Sequence, residues 1–477
     1  MHTSLLQRCG ATDSVGPSMI RGVEDEDRIW SGAVWRPPPG KRGALLHEAL
    51  YERRTACIRR LGGCRSREVQ FTRFLRNEAV TTGAMVCEAV TRTAPRVAGR
   101  DIVVIQDTTE LNLGGRRARA NGYGPIGKGG AVRGLVLHVG LAIELATGAV
   151  IGLADVQVWN RDKGAMTPRH SRATADKESQ RWIDNAARAG EMLAAANSIT
   201  DVSDRESDIY EHFASRPANV DLLVRSHHNR RIETGPDMAG DLLHRFIDGS
   251  PEQGRFTVNF PAAPGRKART AELAIRFAPI RLCRPESAAR NLPKTIDVTL
   301  VDVFEVSVPP KDGKPVHWRL LTTHRVANLG EARRIVDLYR MRWTIEEFFR
   351  TLKSASLNIE DADIGDPQVM MKLVVAAAIT AVTVMQLVKA RDGTTEQLLT
   401  DAFDPEDQPI LEALSLRLEG ATQLQKNPHP KGSLSFATWV IARLGAWTGY
   451  YGKPGPKVIS RGFYDFQRIK YGAELRL

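Results

Sequence analysis

Apolar runs separated by turn residues mark the first predicted strands of the chain. Residues 101–107 form a short β-branched run, which is typical of a strand buried on both faces. Two further apolar runs, 134–145 and 149–158, are joined by Ala146-Thr147-Gly148 and predict a β-hairpin. This part of the chain is therefore predicted to form three strands.

Helical and strand patterns alternate in the next segment. Residues 177–197 are alanine-rich and amphipathic with helical spacing, and residues 198–204 form a fourth strand that ends on an acidic residue. A short helix begins near Ser207, and a fifth strand covers residues 222–224. Three strands, a helix and then alternating strands and helices predict an α/β core with a mixed sheet.

A different pattern occupies residues from about 232 to 325. Three segments, 256–260, 296–300 and 304–308, alternate hydrophobic and polar residues with a period of two. Turn-forming residues lie between them. The pattern predicts an all-β insertion into the α/β core.

Helical spacing returns after the insertion. It runs from Gly330 through Lys353, and an apolar stretch at 373–388 follows. A bilayer span needs about 20 apolar residues, so this shorter stretch, which contains Thr380, is predicted to be a buried core helix. After Pro405 the chain is mostly helical.

The N-terminal segment has the least regular pattern. Residues 1 to about 65 look irregular, with one helical candidate from Ala44 to about Arg60 and a Pro-Gly cluster at 37–40. The chain is therefore divided into three predicted regions. They are an irregular or helical N-terminal region (1–70), an α/β domain (71–390, with the β insertion at about 232–325) and a helical C-terminal region (391–477).

Composition adds a class of partner to this picture. The chain has 477 residues, 42% hydrophobic and 26% charged, as expected of a globular protein with several domains. Its formal net charge of +12 favours a polyanionic partner, most simply nucleic acid. The first residues lack the apolar core of a signal peptide, and the five cysteines show neither CxxC spacing nor a Cys/His zinc set. We therefore expect free thiols and a cytoplasmic protein.

Three carboxylates have positions that suit metal chemistry. Asp107 is at the predicted end of the first strand, Asp204 at the end of the fourth, and Glu346 on the helix after the insertion. Ligands gather at the carboxyl ends of strands in open α/β sheets. Clustered carboxylates need a cation, and oxygen ligands select Mg²⁺ or Mn²⁺, two of which could support phosphoryl transfer. The alternative is that each acid is an ordinary strand-end or surface carboxylate.

The helix that carries Glu346 supplies further candidates. Tyr339, Arg342, Glu346 and Lys353 are spaced so that they share one face of a helix. Arg and Lys neutralise phosphates, and Tyr donates a hydrogen bond to them, so this face suits a nucleic-acid backbone. The alternative is a surface helix with internal salt bridges.

These motifs resemble those of a known family. Residues 339–353 fit the pattern Y-x2-R-x3-E-x6-K, which resembles the signature of DDE transposases of the insertion-sequence-four family, a family that includes the transposase of transposon five. Asp107-Thr108-Thr109 is similar to its first-aspartate motif and residues 204–208 to its second, in the same order. The resemblance covers roughly residues 70–460. It implies an RNase H-like mixed-sheet core with an all-β insertion, flanked by helical N- and C-terminal regions.

The resemblance also implies roles for individual residues. Asp107, Asp204 and Glu346 would bind two Mg²⁺ (or Mn²⁺) ions, and Tyr339, Arg342 and Lys353 would hold the phosphates of the transposon ends.

Two tryptophans match family residues at the flipped base of a hairpin intermediate. Trp318 and Trp343 are expected to stack on that base, with core packing as the alternative for each. His138 and residues 177–179 also match and are expected to be structural.

Basic residues cluster in three further segments. Residues 111–143 contain five basic residues and no acid, which favours a loop that contacts DNA. Arg225 begins a basic cluster, extending to Arg231, that would either contact DNA or form a solvated turn. Residues 421–477 hold nine basic and two acidic residues, and by resemblance this region makes a homodimer contact.

The resulting hypothesis is a bacterial cut-and-paste transposase, associated with the nucleoid and not with a membrane. It would cleave and join double-stranded DNA, namely transposon terminal inverted repeats and target DNA, as a homodimer in a synaptic complex. Two alternatives remain: a catalytically silent DNA-binding remnant, favoured by the lack of a match to the family's end-binding domain before about Gln70, and a stand-alone RNase H-like DNA nuclease.

Overall fold

A computed structural model places one twelve-stranded mixed sheet at the centre of the protein. It describes residues 40–114, 121–127, 129–161, 177–233, 239–260, 268–307, 315–355, 357–394, 396–450 and 452–474. The strands are β1 (Asp101–Asn112), β2 (Gly124–Ile126), β3 (Val132–Glu144), β4 (Val150–Trp159), β5 (Ser198–Ser203), β6 (Asp221–Arg225), β7 (Arg231–Glu233), β8 (Ala239–Leu242), β9 (Gly254–Phe260), β10 (Arg269–Cys283), β11 (Thr295–Glu305) and β12 (His317–Thr322).

Helices flank the sheet and fill both ends of the described chain. They are α1 (Gly40–Arg53), α2 (Ile58–Gly62), α3 (Arg65–Arg76), α4 (Thr82–Arg96), α5 (Gln180–Met192), α6 (Tyr210–Ala214), α7 (Leu243–Asp248), α8 (Leu329–Met341), α9 (Thr344–Arg350), α10 (Pro367–Ala390), α11 (Gln408–Leu418), α12 (Leu434–Leu444) and α13 (Pro456–Glu474).

The centre of the sheet has the order β4-β3-β1-β5-β6. β1 pairs antiparallel with β3 and parallel with β5, and β5 pairs parallel with β6. Alternate side chains of β1 enter two different cores: Val103 and Ile105 pack with α10, and Ile102 and Val104 pack with α5. This mixed sheet between two helical layers is compatible with an RNase H-like core.

The predicted insertion extends the same sheet. β12 pairs with β6, and the order continues through β11, β10, β7 and β8. The all-β description is wrong at α7, where Leu243 and Ile247 are buried at helical i, i+4 spacing. The segments 296–300 and 304–308 were predicted separately, but β11 is continuous from Thr295 to Glu305 because its whole length pairs with β10.

The described N-terminal residues are helical and packed. Leu46 and Leu50 of α1 and Phe71 and Phe74 of α3 are buried in the same core as α10. The helical candidate from Ala44 to about Arg60 is thus confirmed as helical, but it is divided into α1 and α2, and the irregular pattern expected around it does not apply from Gly40 onward. The Pro-Gly cluster before that point lies outside the described residues, apart from its last glycine.

The apolar stretch at 373–388 lies in α10, as a core helix. By length and composition α10 could cross a membrane, but 78% of its most apolar window is buried inside the protein.

Cys57, Cys64 and Cys283 are free thiols, as expected. Cys87 is disulfide-bonded, so the expectation of free thiols is wrong there. An odd number of cysteines excludes complete pairing but not a single pair.

Candidate active site

Asp107 lies on β1, and Asp204 directly follows the neighbouring parallel strand β5. The β1–β5 register runs to Ile105 opposite Val202, so the two aspartates occupy equivalent positions two residues further on. The prediction that Asp107 ends its strand is wrong, because β1 continues along β3 as far as Asn112. Asp204 does follow directly after β5, and its Oδ1 accepts a hydrogen bond from the Glu206 N–H at 2.8 Å.

The helix that carries Glu346 is broken, contrary to the predicted continuous helix from Gly330 to Lys353. α8 ends at Met341, α9 starts at Thr344, and a π-helical turn covers Thr351–Ala355. At the break, the N–H groups of Arg342 and Trp343 donate to carbonyls three residues back, at 3.1 and 3.3 Å. Arg342 and Trp343 keep helical backbone angles, so the helix tightens at this point, and contacts in three dimensions define which residues meet.

Arg342 connects two of the three carboxylates. Its Nη1 lies 2.9 Å from Asp107 Oδ2 and its Nη2 lies 3.3 Å from Glu346 Oε1. The side chains of Arg342 and Asp107 are 16% and 19% exposed, so their contact is shielded from solvent, whereas Glu346 is 41% exposed. The guanidinium thus forms ion pairs with two partly buried carboxylates and compensates part of their charge.

Burial and like charge act together on Asp107. Burial, and secondly the neighbouring charge of Asp204, raise the pKa of Asp107 to about 6, and the Arg342 cation only partly opposes them. Burial also raises the pKa of Glu346 above its ordinary value, again opposed by Arg342. The site therefore holds more negative charge than Arg342 compensates.

The donor chemistry of these residues fits a divalent cation. Asp107, Asp204 and Glu346 offer only carboxylate oxygens, which Mg²⁺ and Mn²⁺ prefer, and their uncompensated charge favours a cation. In the described part of the chain no three acidic, His or Cys residues are close enough to hold a metal ion as they stand. Arg342 occupies one oxygen of each of two of the three acids, so it competes with a metal ion for these oxygens.

The remaining predicted DNA contacts differ in exposure. Lys353 Nζ donates to the Glu110 carbonyl at 2.6 Å, three residues beyond Asp107 on β1. Tyr339 is only 6% exposed and packs edge-on against Trp318, with 5.7 Å between ring centroids. Trp343 is 55% exposed. Packing therefore accounts for the Trp318 and Tyr339 rings, but not for Trp343.

The basic cluster after β6 is largely engaged within the protein. Arg225 Nη2 donates to the His317 carbonyl of β12 at 3.0 Å. Arg230, 8% exposed, forms a buried ion pair with Asp208 at 2.7 Å, and the second Asp208 oxygen accepts the N–H groups of His227 and His228. Arg230 is therefore a structural residue. Of the basic loop after Asp107, Arg116, Arg117, Arg119 and Lys128 lie outside the described residues.

One connecting residue was not predicted from the sequence. Arg181, on α5, donates from Nε to Thr108 Oγ1 and from Nη2 to Glu206 Oε2, each at 2.7 Å. It therefore joins the residue after Asp107 to a residue near Asp204. No periodicity or spacing in the sequence marks Arg181.

Comparison with known families identifies one segment of the chain. A family model described as the transposase DDE domain matches residues 240–382, which include Arg342, Glu346 and Lys353. The match supports a DDE transposase and a transposase role. Asp107 and Asp204 lie outside the matched segment.

Proposed function

We propose that this chain is a cut-and-paste transposase similar to those of the insertion-sequence-four family. The observation that carries the proposal is the convergence of Asp107 and Glu346, from distant parts of the sequence, on the single guanidinium of Arg342. The parallel β1–β5 register adds Asp204 on the neighbouring strand. Three acids beside a basic residue that can bind phosphate suit metal-dependent cleavage of DNA.

The acids and the basic residues have separate tasks in this proposal. Asp107, Asp204 and Glu346 would hold two Mg²⁺ or Mn²⁺ ions, which when bound polarise the phosphoryl group and stabilise the attacking and leaving oxygens. Arg342 and Lys353, with the hydroxyl of Tyr339, would fix the DNA phosphates and so align the scissile bond. Arg225 would contact DNA at the carboxyl end of β6.

The reaction is a series of phosphoryl transfers without a covalent enzyme intermediate. Water attacks the phosphodiester at the end of the element and releases a 3′-OH. That hydroxyl attacks the opposite strand to form a hairpin, a second water opens the hairpin, and the 3′-OH then attacks target DNA. The exposed Trp343 suits stacking on a base extruded at the hairpin better than Trp318, which packs on Tyr339.

Assembly on DNA completes the proposal. Two copies of the chain would pair the two ends of the element in a synaptic complex, with the helical region 391–477 as the dimer contact and the region 1–70 as a degraded DNA-end-binding domain. The protein would act on the bacterial nucleoid in the cytoplasm. The formal net charge of +12 supports an extended DNA contact of this kind.

Substrate choice distinguishes this function from its alternatives. The full chain is incubated with Mg²⁺ and three labelled DNAs: a duplex with the terminal repeat, a duplex of scrambled sequence and a four-way junction. We expect cleavage at the end of the repeat and no comparable cleavage of the other two. Preferred cleavage of the junction would identify a nuclease instead, and binding without any cleavage would identify a silent remnant.

A further inference from the structure

Arg181 bridges the two segments that carry the proposed catalytic aspartates. Its Nε donates to Thr108, the neighbour of Asp107, and its Nη2 pairs with Glu206, whose N–H is held by Asp204 Oδ1. The side chain of Arg181 is only 10% exposed. A rigid guanidinium between two segments can fix the distance between them, because its donors are held in one plane.

A buried chain of hydrogen bonds fixes the Thr108 end of this bridge. Thr108 Oγ1 lies 2.9 Å from His138 Nδ1, and His138 Nε2 lies 2.9 Å from Gln106 Oε1. Gln106 Nε2 in turn donates to Asp201 Oδ1 at 2.7 Å. His138, Gln106 and Asp201 are all fully buried. Buried polar groups with every partner present hold one geometry.

With the Gln106 amide nitrogen facing Asp201, as in this structure, one arrangement of protons satisfies the chain. The guanidinium of Arg181 can only donate, so the Thr108 hydroxyl accepts from it and gives its own proton to His138 Nδ1. The imidazole must then carry its proton on Nε2 and donate it to the Gln106 carbonyl oxygen, which leaves the Gln106 amide to donate to Asp201. The chain therefore has a single direction, from Arg181 into the core.

The position of Arg181 on its own helix is also fixed. Its Nη1 donates to the Glu178 carbonyl at 2.7 Å, and its guanidinium carbon lies 4.9 Å from the centre of the Trp182 ring. All three guanidinium nitrogens thus have a partner in the protein. Arg181 is accordingly not placed as a group that binds DNA phosphate.

We infer that Arg181 is a positioning residue, which sets the spacing of Asp107 and Asp204 and thereby the affinity of their site for a divalent cation. This inference rests on the proposed function of the same site. Arg181 does not touch the cation or the DNA. It acts through Thr108 on one strand and through Glu206 beside the other.

The direction in which the affinity for a divalent cation changes on replacing Arg181 distinguishes a positioning role from a purely electrostatic one. Removing a nearby cation, and releasing the Glu206 carboxylate from it, would by Coulomb's law alone make the site bind a divalent cation more tightly. Loss of positioning has the opposite effect, because a carboxylate at the wrong distance is a poorer ligand. Residues that orient metal ligands typically contribute about 10–100-fold to metal affinity.

The test measures Mn²⁺ binding to the full chain without DNA, by electron paramagnetic resonance. We expect Arg181→Met to weaken Mn²⁺ binding by about tenfold, and Arg181→Lys to weaken it similarly, since an ammonium cannot span Thr108 and Glu206 at once. The matched control is Arg188→Met on the same helix, where Arg188 pairs with Asp155 at 3.5 Å; its affinity should equal that of the parent chain.

Three outcomes are decisive. Unchanged or tighter Mn²⁺ binding by Arg181→Met would overturn the positioning role, and so would parental affinity in Arg181→Lys, which would reduce the role to charge. An equal loss of affinity in Arg188→Met would show that general destabilisation is the cause and would also overturn it. If the parent chain binds no Mn²⁺ at all, the proposed function itself fails.

Discussion

Asp107 is the residue at which burial and charge conflict most directly. Its pKa is raised from an ordinary 3.8 to about 6 by burial and by Asp204. Above pH 6 the folded protein must therefore keep an ionised carboxylate where it is disfavoured. The pKa of Asp107 is higher in the folded chain than in the unfolded chain. The free energy of unfolding therefore falls as the pH rises from about 4 to 6, and it stays lower at higher pH.

The first prediction follows from that sign. Asp107→Asn should stabilise the metal-free protein at pH 8 by up to about 3 kcal/mol, because the amide carries no charge to bury. At pH 4 the gain should almost vanish, since Asp107 is then protonated in the folded chain. Denaturant unfolding in the presence of a chelator at both pH values provides the measurement. Equal midpoints for the two proteins at pH 8 would contradict the buried, ionised Asp107.

Arg342 is both the partner of the acids and the proposed phosphate contact. Without DNA it occupies oxygens of Asp107 and Glu346. Arg342→Ala should therefore bind Mn²⁺ more tightly than the parent chain in the absence of DNA, because a competing cation has been removed. Arg340→Ala is a suitable control, since Arg340 pairs with Asp337 at the surface.

The same substitution should weaken DNA binding. The slope of log affinity against log salt should become shallower by about 0.9 for each phosphate contact that is lost. Fluorescence anisotropy at several salt concentrations gives both quantities. An unchanged slope would remove Arg342 from the DNA contacts, and unchanged Mn²⁺ affinity would show that it does not compete with the metal.

At the scale of helices, the C-terminal region depends on a close crossing of α12 and α13. A Cβ at Gly462 would lie 1.7 Å from the Ile441 carbonyl oxygen and 2.7 Å from the Gly445 nitrogen, so backbone would have to move. Gly462→Ala should destabilise the protein by about 1–3 kcal/mol, as overpacking of a core does. Gly472→Ala on the same helix meets nothing within 4 Å and should be neutral or slightly stabilising. Indistinguishable unfolding midpoints for the two variants would refute this crossing.

Helices and strands were predictable from the sequence where a local hydrophobic pattern alone determines them. The β3–β4 hairpin follows from two apolar runs and a short turn, and the apolar run at 373–388 locates α10, although the helix is longer than that run. The full length of β1 was not predictable, because residues 108–110 are polar and are held by pairing with β3. The tightening of the helix at Arg342 could not be predicted from the sequence, because the helical spacing of the side chains continues through it.

At the scale of the whole molecule, the sheet makes the matched segment dependent on the rest of the chain. Residues 240–382 include β12, whose partner β6 lies outside them, and most of α10, which packs on β4, α4 and α1. This fragment alone would expose an unpaired strand edge and an apolar helix. We expect it to aggregate or to lack cooperative unfolding in circular dichroism, whereas the full chain unfolds cooperatively. A soluble fragment with a sharp transition would show that it is an independent domain.

The candidate site was predictable only in part, because it too depends on contacts between distant parts of the chain. Motif resemblance selected Asp107, Asp204 and Glu346, which lie far apart in the sequence. Their approach depends on strand register and on the turn at Arg342, which no local pattern contains. Arg181 was not recognised because its partners, Thr108 and Glu206, are defined only by the folded sheet.

The most direct test of the account is Mg²⁺-dependent cleavage of end-containing DNA by the parent chain and by Asp107→Asn. We predict that the parent cleaves at the end of the element, and that Asp107→Asn binds the same DNA with measurable affinity but does not cleave it, because the amide is a poor ligand for Mg²⁺. Cleavage by Asp107→Asn at the parental rate would contradict the assignment of Asp107, and with it the proposed catalytic centre.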